Sequence, residues 1–172
     1  MCDVAVDVET TPTALLTGQR LADTDQHLPA LHQVLELVDG RVPLLLELKM
    51  CGGNAAQLCQ EVTLNLAIAH GPIGVMSFDP KVGRWLRRYA QHVPRGLVIG
   101  EDTSWLKRWL ALVIAAPQFL AVHRNCLGRV WVARIRKRMP VYAWTIRSAA
   151  ERAQAEVQAD ALIWEADGRP RN

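Results

Sequence analysis

Short apolar runs alternate along the chain with longer segments in which apolar residues recur at helical spacing. The short runs are almost continuously apolar, which is typical of strands buried on both faces of a parallel sheet. They occupy residues 42–49, 71–78, 95–100, 119–123, 140–146 and 159–164. The segments between them carry helix-start signals, such as Asp79 before Pro80. The pattern therefore predicts six strand–helix repeats, with helices over residues 29–40, 55–69, 79–89, 105–115 and 130–138 and from residue 148 onward.

Repeated strand–helix units predict an α/β fold with a parallel sheet, because each right-handed crossover needs a helix. A doubly wound open sheet and a (β/α)8 barrel both fit, and the pattern alone leaves them open. No GxGxxG or GxxxxGK[ST] motif follows a predicted strand, which disfavours a nucleotide-binding sheet. A complete barrel contains about 250 residues, so a barrel of 172 residues would be about two strands short.

The composition is that of one globular domain over residues 1–172, since half of the residues are hydrophobic and 22% are charged. The net charge of +3 is too small to indicate a nucleic-acid partner. Lys and Arg do cluster at helical spacing among apolar residues, which predicts solvated helix faces rather than a binding patch. The clusters are Arg84, Arg87 and Arg88, and Arg134, Arg136, Lys137 and Arg138.

Cysteine usage and hydropathy indicate a cytoplasmic protein without a transmembrane segment. The four cysteines show no CxxC spacing, so we expect free thiols rather than a zinc or redox site. The first residues contain acids where a signal peptide has Lys or Arg. The most apolar stretch, residues 110–116, is far shorter than the ~20 residues that span a bilayer, and it predicts a buried helix.

Polar residues follow each predicted strand, where ligands bind in both architectures. Glu47 and Lys49 are two apart on one strand, so both side chains should lie on the same face. Opposite charges at the end of a buried strand need an ion-pair partner or a ligand, and spacing leaves both open. The other polar residues at strand ends are Ser77, Asp79, Glu101, Asp102, His123, Arg124, Asn125, Trp144, Thr145, Arg147, Glu165 and Asp167.

Among the histidines, His123 alone is placed at a strand end, where it could act in catalysis. Without an identified acid to orient its ring, a structural role is favoured over a catalytic one. Trp144 also stands at a strand end and could form the wall of a ligand pocket, because its ring is rigid and apolar.

Three segments resemble the glycerophosphodiester phosphodiesterase family. HLPALHQVLELVDGRVPLLLELK, residues 27–49, is similar to the family pattern IPTLEEVLELVKGRVPLLIEIK. GPIGVMSFDPKVGRWLRRYAQHVPRGLV, residues 71–98, has the family's Ser-Phe strand end and following helix, and PVYAWTIRSAAERAQAEVQADALIWE, residues 140–165, is similar to PVYVWTVN…ADGIIT. The resemblance implies a (β/α)8 barrel that is incomplete here, with about six βα units and the first one or two strands missing or degenerate.

The same resemblance implies an activity and a set of site residues. The family hydrolyses glycerophosphodiesters to glycerol 3-phosphate and an alcohol, with a divalent cation such as Mg²⁺ or Ca²⁺. Carried onto this chain, Glu47 is a metal ligand, and Lys49 faces the phosphate of the substrate. Trp144 lies near the glycerol moiety, and Ser77 and Phe78 line the site.

The chain departs from the family pattern in its N-terminal part. The family opens with a strand ending His-Arg-Gly, then Glu-x-Asp, then a loop His-Asp, and the two histidines are its acid and base. This sequence contains neither His-Arg-Gly nor His-Asp. Asp7 could be a remnant of the Glu-x-Asp strand, with Ala5 replacing the Glu, or residues 7–18 could match the His-Asp segment. Asp7 is therefore a weak second candidate for a metal ligand.

These observations leave three hypotheses open. The chain is the bulk of a glycerophosphodiester phosphodiesterase, or a non-catalytic degenerate barrel that binds phosphorylated ligands or a partner chain, or a hydrolase that uses His123 as a replacement acid–base. In each case the expected ligand is a glycerophosphodiester or another phosphorylated small molecule, and any cation should bind weakly. The open edges of an incomplete barrel should favour self-association.

Overall fold

The six apolar runs form six parallel strands that follow one another in space as they do along the chain. The computed structural model describes residues 11–20, 24–50 and 53–170. The strands are β1 Leu44–Glu47, β2 Ile73–Ser77, β3 Arg95–Ile99, β4 Phe119–His123, β5 Val141–Ile146 and β6 Ala161–Trp164. Each pairs in parallel with the next, which gives the sheet order β1-β2-β3-β4-β5-β6. All six predicted strands are confirmed, with small shifts at their ends.

Helices connect the strands, and side-chain caps fix several of their starts. They are α1 Thr13–Thr17, α2 Leu31–Val38, α3 Ala55–Leu66, α4 Pro80–Tyr89, α5 Trp105–Ala115, α6 Val130–Arg136 and α7 Ala149–Glu156. The side chain of Asp79 accepts a hydrogen bond from the Lys81 N–H at the start of α4, and Ser148 accepts from the Glu151 N–H at the start of α7. The six predicted helices are present, whereas the short helix α1 is not predicted by the pattern.

The strand order decides between the two architectures that the sequence leaves open. A doubly wound sheet reverses its order at a switch point, because its helices cover both faces. Here the order never reverses, so right-handed crossovers place α4, α5, α6 and α7 on one side of the sheet. This is the arrangement of a (β/α)8 barrel, of which the described residues contain six strands. The predicted incomplete α/β barrel is confirmed.

The chain forms two compact units, and the whole sheet belongs to the second. The first unit contains the described residues within Met1–Pro43 and Cys51–Pro72, and the second contains those within Leu44–Met50 and Ile73–Asn172. In the first unit, α2 ends at Asp39, whose side chain lies 2.9 Å from His70 Nδ1. The expectation of a single domain over residues 1–172 stays a prediction.

The two faces of the sheet in the second unit carry different apolar clusters. The helix-facing cluster joins β3, β4 and β5 to α5 and α6, with Leu97, Leu120 and Val141 almost fully buried. The opposite face, called here the inner face, carries a second cluster of Leu45, Met76, Val98, Phe119, Ala121, Tyr142, Trp144 and Ile163. Side chains alternate along each strand, so successive residues of one strand belong in turn to the helix-facing cluster and to the inner face.

The apolar stretch at residues 110–116 is less buried than the sequence predicts. Ala115 is the only residue of α5 that is fully buried, and a Cβ on Gly83 of α4 would lie 2.8 Å from the Ala115 Cβ. Leu110 and Val113 are exposed. The prediction of a buried helix over residues 110–116 is therefore wrong for Leu110 and Val113, because helical spacing shows how apolar a face is but not what covers it. None of the helices in the described residues is long and apolar enough to cross a bilayer.

Asp160 joins the end of α6 to the start of β5 and β6. Its Oδ2 accepts a hydrogen bond from the Val141 N–H at 2.8 Å, and its Oδ1 accepts one from Arg136 Nε at 2.9 Å. The Val141 N–H, followed by the Arg136 guanidinium, holds the pKa of the Asp160 carboxyl below its ordinary value. The same guanidinium donates to the carbonyls of Val157 and Ala159.

Replacing Asp160 with Asn should lower the free energy of unfolding by about 1 kcal/mol at neutral pH. A lowered pKa means that the unfolded chain binds the proton more tightly than the native state. The stabilisation is therefore complete above the ordinary Asp pKa of 3.8 and is lost as the pH falls below it. Urea unfolding of both proteins at neutral pH and below pH 3.8 measures the difference, with Asp167→Asn on the exposed surface as the control. A difference that does not change with pH would contradict the assignment.

Candidate functional site

The inner face carries four of the predicted site residues at the C-terminal ends of four strands. Glu47 pairs in register with Met76 of the inner face, and His123 pairs with Trp144. Phe78 follows Met76 by two residues and contacts Trp144 directly. Because positions two apart on a strand share a face, Glu47, Phe78, His123 and Trp144 lie on the same side of the sheet. This is the edge at which (β/α)8 barrels place their active sites.

Phe78, His123 and Trp144 form an aromatic cluster at this edge. The Trp144 ring meets the Phe78 ring edge to face at 5.5 Å between centroids, and the His123 ring at 5.1 Å. Trp144 Nε1 donates a hydrogen bond to the Ala121 carbonyl at 3.1 Å. Since its one polar atom is held by the backbone of β4, the indole is fixed in orientation. The cluster therefore offers a rigid apolar wall with one imidazole beside it.

His123 has the acidic neighbour that sequence reasoning did not identify. Glu101 Oε2, after β3, lies 3.5 Å from His123 Nδ1 and accepts a hydrogen bond from Asn125 Nδ2 at 2.9 Å. The Asn125 N–H donates to the same His123 nitrogen at 3.3 Å. A nitrogen that accepts from Asn125 carries no proton, so the proton of the neutral ring is on Nε2. A protonated ring would instead direct its Nδ1–H toward Glu101.

Glu47 and Lys49 are both exposed, with Leu48 buried between them. Among the described residues, neither charged side chain has a hydrogen bond or an ion pair. The internal ion pair that the sequence left open is therefore not formed within this part of the chain. Water solvates both groups, and they stay available to a ligand.

No family profile matches the chain, and no curated protein matches it. Solved structures do match. A protein from Silicibacter pomeroyi assigned as a glycerophosphoryl diester phosphodiesterase is 22% identical with a TM-score of 0.69, and a glycerophosphodiester phosphodiesterase from Parabacteroides distasonis is 16% identical with a TM-score of 0.76. The chain has the fold of the glycerophosphodiester phosphodiesterases.

The match covers most of this chain and part of each neighbour. It spans 83% of the chain and 54% of the Silicibacter protein, and 91% of the chain and 68% of the Parabacteroides protein. A phosphodiesterase from Oleispira antarctica, 20% identical with a TM-score of 0.71, is in complex with the product sn-glycerol-3-phosphate, and the match spans 83% of this chain and 59% of that one. The chain thus spans about half to two thirds of these glycerophosphodiester phosphodiesterases.

Ser77 lies on the other face from the aromatic cluster. It pairs in register with Leu97 of the helix-facing cluster and is 1% exposed. Its hydroxyl donates to the Leu48 carbonyl at 2.6 Å and accepts from the Asp79 N–H at 3.1 Å. The hydroxyl thus ties the end of β1 to the start of α4. Its predicted contact with a ligand stays a prediction.

The described residues do not complete a cation site. They contain no group of three or more His, Cys, Asp or Glu side chains placed to hold a metal. Glu47 is a suitable hard oxygen donor, whereas Glu101 is engaged with Asn125 and His123. The other predicted metal ligand, Asp7, lies outside the described residues. The donor set in this part of the chain therefore does not fit a tightly bound cation.

Beside the site, a 3₁₀ turn that follows His123 ends at the buried Cys126. Burial raises the pKa of the Cys126 thiol, with Arg129 opposing the rise. The thiol therefore stays protonated at neutral pH and is no nucleophile. A cavity of about 230 Å³ lies behind the same turn, lined by Arg124, Asn125, Leu127, Glu151, Gln154, Ala155 and Gln158. Arg124 and Glu151 form an ion pair at 2.9 Å within it.

Proposed function

We propose that this chain binds glycerophosphodiesters, or the glycerol phosphate part of them, at the C-terminal ends of its strands. The observation that carries the proposal is the aromatic cluster of Phe78, His123 and Trp144 on the inner face. Lys49, which is exposed and has no ion pair among the described residues, follows β1 at the same edge of the sheet. The fold supports it, since a neighbour of the same fold is in complex with sn-glycerol-3-phosphate.

The proposed contacts follow from the chemistry of the two halves of the ligand. The fixed Trp144 ring presents an apolar surface to the carbon chain of glycerol. Lys49 supplies positive charge to the phosphate. The neutral His123 ring can donate a hydrogen bond from Nε2 to a phosphate oxygen. When the ring is protonated, its Nδ1–H would point toward Glu101 and its Nε2 proton could pass to the leaving alcohol, which leaves a neutral imidazole.

Hydrolysis by this chain is proposed to be weak. Hydrolysis needs one group that gives a proton to the leaving alcohol and one that removes a proton from water. His123 is a single imidazole and can perform only one of these tasks at a time. The contact with Glu101 favours His123 as the residue that would perform one of them. The chain as proposed is therefore a ligand-binding barrel of the glycerophosphodiester phosphodiesterase type in which catalysis is secondary. Its cytoplasmic location is proposed from the same cysteine usage as above.

Calorimetric titration with sn-glycerol 3-phosphate tests the proposal. Lys49→Met should weaken binding by about tenfold or more, because a hydrogen bond to a charged group contributes about 1.5–3 kcal/mol. Trp144→Ala should weaken it by about tenfold through lost contact area. Trp164→Ala is the matched control, since Trp164 stands at the end of β6 and pairs with Ile146, away from the inner face. Equal affinity in all four proteins, or equal binding of glycerol itself, would refute the proposal.

Any divalent cation should bind no more tightly than about millimolar, the range of the weakest protein calcium sites. Calcium takes six to eight oxygen ligands and magnesium six, whereas the described residues hold no group of three or more His, Cys, Asp or Glu side chains placed to hold a metal. Glu101 and Glu165 at neighbouring strand ends are engaged with His123 and Arg147. Calorimetry with Ca²⁺ and Mg²⁺ should show weak binding that Glu47→Gln abolishes. Micromolar binding, or binding that survives Glu47→Gln, would place the cation elsewhere.

A further inference from the structure

The outer face of α5 is apolar and uncovered. Trp105 is 71% exposed, Trp109 is 55% exposed and Val113 is 56% exposed, and they recur every four residues along one side of the helix. Leu106 and Leu110 extend the same side. Soluble proteins scatter single apolar residues over their surface, whereas a contiguous apolar patch marks a place where something binds.

Positive charge surrounds this face. Residues 80–150 contain fourteen of the 20 Lys and Arg residues but only two of the 17 Asp and Glu residues, and those two, Glu101 and Asp102, follow β3. The helices α4, α5 and α6 contain no acid at all. The modest net charge of the whole chain therefore conceals a strongly basic segment.

Only some of the basic side chains on and near these helices are engaged in the fold. Arg95, Arg124 and Arg136 have partners inside the protein. By contrast, the exposed cations of α4 to α6 form no ion pair with any described residue. They include Lys81, Arg84, Arg87, Arg88, Lys107 and Arg134.

The three helices form one continuous surface. Gly83 of α4 packs directly on Ala115 of α5, and Arg108 of α5 lies 4.2 Å from the ring centre of Trp131 in α6. The apolar face of α5 therefore has basic helices on either side. We call the exposed residues of these three helices the α4–α6 surface.

We propose that the α4–α6 surface docks on an anionic lipid bilayer. Tryptophan rings and aliphatic side chains partition into the headgroup boundary, and Lys and Arg around them bind anionic headgroups. This combination of an exposed Trp- and Leu-bearing helix with unpaired cations and no acids matches such a surface in both charge and polarity. The sequence prediction that these cations only solvate helix faces does not account for the exposed apolar residues between them.

Other occupants fit this surface less well. Chain that completed the barrel would pair with β1 or β6, whereas α5 connects β3 and β4 at the centre of the sheet. A second copy would bring two basic surfaces together. A nucleic acid would satisfy the cations and leave Leu106, Leu110 and Val113 in water.

Vesicle flotation with the full chain tests the proposal independently of glycerophosphodiester binding. The protein should float with vesicles of phosphatidylcholine and phosphatidylglycerol, remain unbound with phosphatidylcholine alone, and dissociate at high salt. Tryptophan emission should shift to the blue on binding, as Trp105 and Trp109 leave water. Failure to float with the anionic vesicles, or equal binding to both kinds, would overturn the proposal.

Paired variants assign the binding to this surface. Leu106→Ser with Leu110→Ser should weaken binding at least about tenfold, whereas Leu64→Ser with Ile68→Ser, two exposed aliphatics also four apart, should not. Arg87→Glu with Arg88→Glu should weaken it about 25-fold or more, since each cation near an anionic surface contributes about fivefold. Arg20→Glu with Arg41→Glu makes the same change in net charge elsewhere.

Circular dichroism checks that each variant is folded. Two outcomes would indicate that something other than a membrane binds the α4–α6 surface. If the Leu106 and Leu110 variant changes the oligomeric state and leaves flotation intact, the surface is an interface between copies. If single-stranded RNA displaces the vesicles and binds as tightly to the leucine variant as to the unchanged chain, the occupant is a nucleic acid. Either result would overturn the assignment to a membrane.

Discussion

The purified 172-residue chain should hydrolyse glycerophosphocholine at least about 10⁴-fold more slowly than a complete glycerophosphodiester phosphodiesterase. Each positioned acid or base contributes about 10²–10⁴-fold to such a reaction. The chain contains neither His-Arg-Gly nor His-Asp, the motifs that hold the acid and the base in the family that its sequence resembles. His123 is the one imidazole at the aromatic cluster, and it can take over at most one of the two tasks.

Release of choline in the presence of saturating Mg²⁺ or Ca²⁺ measures this rate, with a complete relative assayed in parallel. His123→Ala should remove whatever activity remains, and His92→Ala, in a loop after α4, serves as its control. Turnover comparable to that of the relative, and dependent on His123, would show that this imidazole works with Glu101 as a replacement acid–base. Turnover that survives His123→Ala would place the catalytic group outside the cluster.

The second large effect concerns the assembly of the purified chain. Among the described residues, β1 pairs only with β2 and β6 pairs only with β5. An open strand edge presents unpaired N–H and C=O groups to a second chain, and the inner face beside it is apolar. We therefore expect light scattering after size exclusion to show dimers or larger species, and thermal unfolding to be broad and dependent on protein concentration.

A charge on the edge strand should suppress this association. Ile163→Lys places a Lys on the inner face of β6, where an inward-pointing charge blocks edge pairing. Val157→Lys adds the same charge at an exposed position after α7. The first variant should shift the chain toward the monomer, and the second should leave the distribution unchanged. A sharp two-state melt from a monomeric unchanged chain would show that the edges are closed in another way.

The strands could be predicted because a strand that is buried on both faces consists of almost continuously apolar residues. In the run FLAVH the four residues before His123 are buried, and the run forms β4 without a shift at either end. The choice between a barrel and an open sheet could not be made from the same pattern, because both produce alternating strands and helices. It depends on the order in which strands pair, which is a long-range property.

The candidate site could be predicted in part. The rule that ligands bind at strand ends identified Trp144 and His123, and the structure brings both into contact. The alternation of strand side chains could also have separated Ser77 from Phe78, since neighbouring residues point to opposite faces. The contact between Glu101 and His123 could not be predicted, because it joins the ends of two different strands through loop conformations.

The hydrogen bonds of Arg136 tie the connection between α7 and β6 to the sheet. They affect both the hydrogen exchange of its amides and its tolerance of inserted residues. One guanidinium reaches two carbonyls of this connection and the Asp160 carboxylate, and the Asp160 N–H donates to Val141. The amides that follow α7 should therefore open to solvent together with β5 rather than with the surface loops. Insertions between Val157 and Asp160 would separate all of these partners at once, so tags or inserted domains belong at other connections of the barrel.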